Sequence, residues 1–146
     1  TSYIAVTGVQ TCALPILVLD SNVIIAAFAA RGLCEALFEY CLGSHEVFIS
    51  EHILKEIKEI LTAKIKVPAN VASEIEIYIR ESTELVVPAS VNLPRLKDKD
   101  DLPVTGTAAA ALSKYLITGD QALLQLKSFR KTDILSPRAF WKEMKK

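Results

Sequence analysis

Apolar residues recur along this chain with two different spacings. Short continuous runs, Leu17-Val18-Leu19, Val47-Phe48-Ile49, Leu85-Val86-Val87 and Tyr115-Leu116-Ile117, are the pattern of strands buried on both faces, and Asp133-Ile134-Leu135 reads as a fifth strand. Between them the spacing becomes helical. Leu33, Leu37, Phe38 and Cys41 share one face, as do Ile53, Leu54, Ile57, Ile60 and Leu61. Asp20-Ser21-Asn22 supplies cap chemistry for a helix over residues 23–30, which Arg31-Gly32 breaks. Gly43 is the expected stop of the next helix, and Ser50 the cap of the third. Val67-Pro68 interrupts before a helix over residues 69–81. A charged loop over residues 94–103 precedes an alanine-rich helix over residues 104–113, with Pro103 near its first turn. A short helix follows over residues 121–127, and Ser136-Pro137 opens a last one anchored by Phe140, Trp141 and Met144. Strands alternating with helices predict an α/β domain built on a parallel sheet.

The first sixteen positions, residues 1–16, stand apart. They lack both an initiator methionine and the basic start of a signal peptide. The stretch from Val6 onward resembles the conceptual translation of a sequencing-adapter oligonucleotide. Residues 1–16 are therefore expected to be a non-native extension, and residues 17–146 a single domain. By pattern alone, Ile16 can still extend the first strand.

Composition changes this picture little. Half the residues, 51%, are hydrophobic, so the chain can bury a core, and a formal charge of zero gives no global case for nucleic-acid binding. A basic C-terminal stretch includes Lys127, Arg130, Lys131, Arg138, Lys142, Lys145 and Lys146. It reads equally well as a solvated surface or as a phosphate-binding face. Of the three cysteines, Cys34 and Cys41 fall on one helix face as buried free thiols, which suits a reducing, cytoplasmic compartment. No apolar run is long enough to span a membrane.

The candidate chemistry lies in four acids. Asp20 and Asp120 each follow a buried strand, Glu56 sits on or beside the apolar face of its helix, and Asp101 opens another helix behind Asp98 and Asp100. In a doubly wound sheet the carboxyl ends of the strands form the ligand crevice. Carboxylates meeting there repel one another unless a hard divalent cation lies between them. Each acid also has a plain structural reading: a helix cap for Asp20 and Asp120, a boundary residue for Glu56, and a dipole-favoured acid for Asp101. His45 and His52 fit no metal-ligand spacing and read as surface residues, Ser50 has no partner for a hydrolase triad, and no glycine-rich phosphate loop is present.

Taken in order, Leu17-Val18-Leu19-Asp20-Ser21-Asn22-Val23-Ile24, Ile49-Ser50-Glu51-His52-Ile53-Leu54-Lys55-Glu56, Asp98-Lys99-Asp100-Asp101 and Tyr115-Leu116-Ile117-Thr118-Gly119-Asp120 resemble the PIN-domain family. Within that family they are most similar to the toxins of prokaryotic toxin–antitoxin systems, as is Ile134-Leu135-Ser136-Pro137-Arg138-Ala139-Phe140. The resemblance implies a three-layer α/β/α sandwich with a central, mainly parallel sheet. It also implies an acidic pocket for Mg²⁺ or Mn²⁺, endoribonuclease activity on RNA, a cognate antitoxin, and room for a homodimer. By motif position the family's acids fall on Asp20, Glu56, Asp101 and Asp120, which would carry both catalysis and metal binding. Asn22, Thr118 and Asp98 would support them. The chain departs from the family pattern at two places. Thr105-Gly106-Thr107 is polar and flexible where a bulky apolar residue is usual, and Ala122 stands where a further acid is frequent. Those departures favour the competing expectation, a catalytically weak PIN-fold module acting through a protein partner. A phosphate-accepting receiver domain ranks behind both, since no suitable lysine follows a late strand.

Overall fold

The computed structural model describes residues 14–146. Residues 1–13, including Cys12 and most of the stretch read as non-native, lie outside the described residues. The strands are β1 (Ile16–Leu19), β2 (Glu46–Ile49), β3 (Glu84–Leu85), β4 (Tyr115–Ile117), β5 (Ser128–Phe129) and β6 (Thr132–Leu135). The helices are α1 (Ser21–Ala29), α2 (Leu33–Ser44), α3 (Glu51–Ala63), α4 (Ala69–Ser82), α5 (Asp101–Ala111), α6 (Gln121–Leu126) and α7 (Pro137–Met144). The six strands form one sheet in the order β3-β2-β1-β4-β6-β5. All neighbours run parallel except β5 with β6. Helices cover both faces, giving the three-layer α/β/α sandwich.

The apolar runs lie where their burial requires. Leu17, Val18, Leu19, Leu116 and Ile117 are fully buried at the centre of the sheet, as strands covered on both faces must be. Ile16 is the first residue of β1, in register with Glu46. The chain builds outward from β1 through β2 to β3, then returns to pair β4 against the other edge of β1. The strand order therefore reverses between β1 and β4. Their carboxyl ends, carrying Asp20 and Thr118-Gly119-Asp120, border the crevice that such a reversal opens.

The structure departs from the sequence pattern in several places. The third strand ends at Leu85 rather than Val87. The Val86 N–H still donates to the Ile49 carbonyl at 3.0 Å, but Val87 is 86% exposed and Pro88 follows. The hairpin of β5 and β6 carries no turn signal in the sequence, because its two-residue turn, Arg130-Lys131, contains no glycine, although Arg130 takes a positive φ of 57°. Gly43 does not end α2, which runs on to Ser44 with His45 as its C-cap. His45 is a core residue, not a surface one. It is 7% exposed, lies edge-on to Tyr115 and Phe140, and is held below the ordinary histidine range first by burial and then by Lys114. Thr105-Gly106-Thr107 is not flexible either, since all three residues are buried inside α5. The Thr105 and Thr107 hydroxyls donate back to the Leu102 and Pro103 carbonyls at 2.8 and 2.7 Å. Thr107 Oγ1 also lies in hydrogen-bond contact with Ser50 Oγ at 2.9 Å. Cys41 is buried and Cys34 half-buried, both as free thiols; burial raises Cys41 to about 12. No single described helix is long and apolar enough to cross a membrane.

Candidate active site

Asp20 caps α1 and is 4% exposed. Three donors fix its carboxylate. Oδ1 accepts the Ser21 N–H at 2.7 Å, and Oδ2 accepts Thr118 Oγ1 at 2.7 Å and Asn22 Nδ2 at 3.1 Å. Burial still holds Asp20 above the ordinary carboxylate range. The three hydrogen bonds pull it back, and the nearby Asp120 charge adds to the rise.

Thr118 also receives the Asp120 N–H at 3.0 Å, so one hydroxyl links the two strand-end acids. Asn22 Oδ1 accepts the Gly119 N–H at 2.9 Å, which locks the β4–α6 turn onto the start of α1. Asp120 caps α6, accepting the Ala122 N–H at 2.8 Å. Asp20 and Asp120 do cap their helices, and the same strand-end positions set both carboxyls at the crevice.

Glu56, half-buried on α3, accepts Ser21 Oγ on Oε1 at 3.0 Å. Burial raises its pKa; the Ser21 bond and His52 lower it, and Asp20 and Asp100 raise it. Asp101 occupies the first turn of α5 and is 5% exposed. Its Oδ2 is buried without a hydrogen-bond partner. Burial, followed by the proximity and charge of Asp120 and then the charges of Asp98 and Asp20, pushes Asp101 up to about 7. Asp98 is exposed and accepts the Asp100 N–H at 2.9 Å. It shapes the loop into α5 rather than entering the buried cluster. Among the described residues no lysine or arginine forms an ion pair with Asp20, Glu56, Asp101 or Asp120.

The structure thus brings together all four acids singled out in the sequence, with Asn22 and Thr118 as positioning donors. Two residues were missed. In the sequence Ser21 shows only cap chemistry; in the structure it bridges Asp20 and Glu56. His52 was read as a surface residue, yet Nε2 lies 3.7 Å from Glu56 Oε1 and 3.8 Å from Asp100 Oδ1. The four-residue interval between His52 and Glu56, one helical turn, was the signal available.

Two buried and two half-buried acids that repel one another, with no lysine or arginine paired to them and one orphaned oxygen, suit a hard divalent cation; Asp20, Asp101, Asp120 and Glu56 are the residues that would hold it.

Comparison with known proteins agrees with this fold. No curated protein matches the chain. Among solved structures, VapBC2 from Rickettsia felis, bound to a DNA fragment from their promoter, is similar, with a TM-score of 0.58 and 14% sequence identity. The match covers 83% of this chain and 98% of that one, and at this identity it speaks for the fold alone. The family model described as PIN domain matches residues 16–122, from the first residue of β1 past the last of the four acids. The chain belongs to the PIN-domain family.

Proposed function

We propose that this protein is a metal-dependent endoribonuclease that hydrolyses RNA phosphodiester bonds and serves as the toxin of a toxin–antitoxin pair. The observation that carries the reading is Asp101: a buried carboxyl with an unpartnered oxygen, crowded by Asp120 and Asp20 and without a basic neighbour. A fold that maintains such a site for stability alone would be working against itself. Bound Mg²⁺ or Mn²⁺ would supply charge neutralisation at the phosphoryl oxygens and a water more acidic than bulk, easier for a general base to deprotonate.

The chain's own residues supply the rest. Asp20, held by three donors, presents one fixed carboxylate orientation, so little side-chain freedom is lost on binding. Both contacts of Glu56 use Oε1, which leaves Oε2 to accept the proton of the attacking water. Lys97 and Lys99, exposed in the loop before α5, and Lys127, exposed after α6, would hold flanking phosphates. The free thiols suit a cytoplasmic setting. A cognate antitoxin is the expected partner, and the chain's self-association is open to it as a homodimer.

One observation favours the catalytically weak binding module instead: Ala122 is exposed beside Asp120 and offers only its backbone N–H to the site.

Calorimetric titration of Mn²⁺ into the wild-type chain and its Asp20→Asn variant, beside an RNA-cleavage assay, separates the two. Loss of both binding and cleavage in the variant is the expected result. Undiminished cleavage in Asp20→Asn overturns the nuclease assignment. Cation binding without cleavage in the wild type favours the binding module.

A further inference from the structure

The first turn of α3 holds a group that the nuclease reading leaves idle. His52 Nε2 is shielded from solvent and has no hydrogen-bond partner, although a quarter of its side chain, 25%, is exposed. It faces Glu56 Oε1 at 3.7 Å from its own helix and Asp100 Oδ1 at 3.8 Å from the loop before α5. One ligand atom from each of the three residues lies within 4.8 Å of the other two. These separations are too long for hydrogen bonds. They are close to the edge of a coordination shell: two ligands about 2.1 Å from a cation at a tetrahedral angle stand about 3.4 Å apart. A small inward rotation of exposed Asp100 closes the difference.

We infer that His52, Glu56 and Asp100 form a second cation site beside the acid cluster, selective for a borderline divalent transition ion such as Zn²⁺. An imidazole nitrogen with two carboxylates suits Zn²⁺ and fails Mg²⁺, which demands oxygen ligands and gives up water reluctantly. The site therefore differs in preference from the all-oxygen set of Asp20, Asp101 and Asp120. Helical spacing builds it: His52 and Glu56 lie one turn apart on one face of α3, and α5 packs against α3, which brings Asp100 across. Glu56 is the shared element. Its Oε1 accepts Ser21 on one side and faces His52 on the other. The site shares that residue with the proposed function but does not need the nuclease reading to hold.

The test is spectroscopic. The chain contains two histidines, so a ¹H–¹⁵N spectrum of the imidazole rings has two spin systems, and His52→Gln assigns them. Zn²⁺ is titrated into the full chain carrying Asp20→Asn and Asp120→Asn, which disable the acid cluster; where that variant does not fold, Asp120→Asn alone carries the test. The expected result is a saturable move of the His52 Nε2 resonance into the range of a coordinated imidazole. His45 should stay still, and Mg²⁺ should have no such effect. In Asp100→Asn the apparent affinity should fall by at least the ~10-fold that even an outer-shell partner contributes. His52 nitrogens that stay unmoved at saturating Zn²⁺, or a response of full affinity in Asp100→Asn, overturn the site. If His52 stays still while the wild type takes up Mn²⁺, this second site fails and the nuclease reading stands. If His52 responds while the wild type takes up no Mg²⁺ or Mn²⁺, the second site stands without that reading.

Discussion

Ser21 Oγ donates a 3.0 Å hydrogen bond to Glu56 Oε1 while its backbone N–H donates a 2.7 Å bond to Asp20 Oδ1. One residue thus ties the end of β1 to α3 and sets the spacing of two acids. Ser21→Ala removes only the side-chain link. It should cost about 1 kcal/mol of stability. Because that bond holds Glu56 down, its loss should also raise the Glu56 pKa further. Mn²⁺ affinity should then weaken by roughly fivefold, the equivalent of about 1 kcal/mol. Thermal melts and calorimetric titration of Ser21→Ala beside Ser21→Thr read both effects; wild-type behaviour in both assays would mean the bridge contributes nothing.

Thr118 has a heavier duty. Its hydroxyl donates to Asp20 Oδ2 at 2.7 Å and accepts the Asp120 N–H at 3.0 Å, in a fully buried position. Thr118→Val preserves shape but strips a buried carboxylate oxygen of its shortest bond and orphans an N–H. The expected loss is about 1–3 kcal/mol, whereas Thr118→Ser, which retains the hydroxyl, should lose under about 1 kcal/mol. Denaturant unfolding of the pair measures the difference. Equal stabilities would show that water replaces the hydroxyl.

Gly106 lies within α5, where alanine is ordinarily the better helix former by about 1 kcal/mol. Here a Cβ would collide with the Ala89 carbonyl oxygen and come within 3.1 Å of the Pro88 Cβ. The Gly106 carbonyl also accepts the Ala89 N–H at 2.9 Å, so the strand-like segment after β3 is fastened against the helix. Gly106→Ala should therefore destabilise by a net ~1–3 kcal/mol, the usual cost of overpacking. A stabilised variant in the same denaturant assay would mean that the Pro88-Ala89 segment yields freely.

The parallel core was legible because strands buried on both faces announce themselves as unbroken apolar runs, and the caps Asp20, Ser50 and Ser136 because their chemistry is local. What escaped depends on distance in space. The β5–β6 hairpin turns on a positive φ at Arg130, which no glycine advertises. The order of Thr105-Gly106-Thr107 depends on Ser50, more than fifty residues away in sequence. The burial of His45 comes from Tyr115 and Phe140, again remote. Asp20, Asp101 and Asp120 stand out in the sequence by their positions at strand and helix ends, and Glu56 by its place on or beside the apolar face of its helix. Their wiring through Ser21 and Thr118 does not, because a hydroxyl in a cap motif looks the same whether or not a second acid lies above it.

The metal-free protein should lose stability as pH rises through the acidic and neutral range, the reverse of ordinary acid denaturation. Asp101 moves from an ordinary 3.8 to about 7 in the fold, chiefly through burial and then through Asp120. Burial moves Asp20 and Glu56 in the same direction. Between those two values the folded state binds more protons than the unfolded chain, so stability falls with pH across that window and levels off above it. The ceiling for Asp101 alone is about 4 kcal/mol. A divalent cation should invert the trend, since it competes with protons for the same carboxylates and stabilises only the native state, more strongly as pH rises. Melting curves at pH 5 and pH 8, with chelator and with Mn²⁺, should therefore cross. Asp101→Asn, which cannot titrate, should flatten the chelator series and raise metal-free stability at pH 8 while weakening the Mn²⁺ response. A chelator series that rises from pH 5 to pH 8 in the wild type would show that burial and Asp120 do not lift Asp101 above the ordinary carboxylate range in the fold, and would remove the physical basis for placing a cation there.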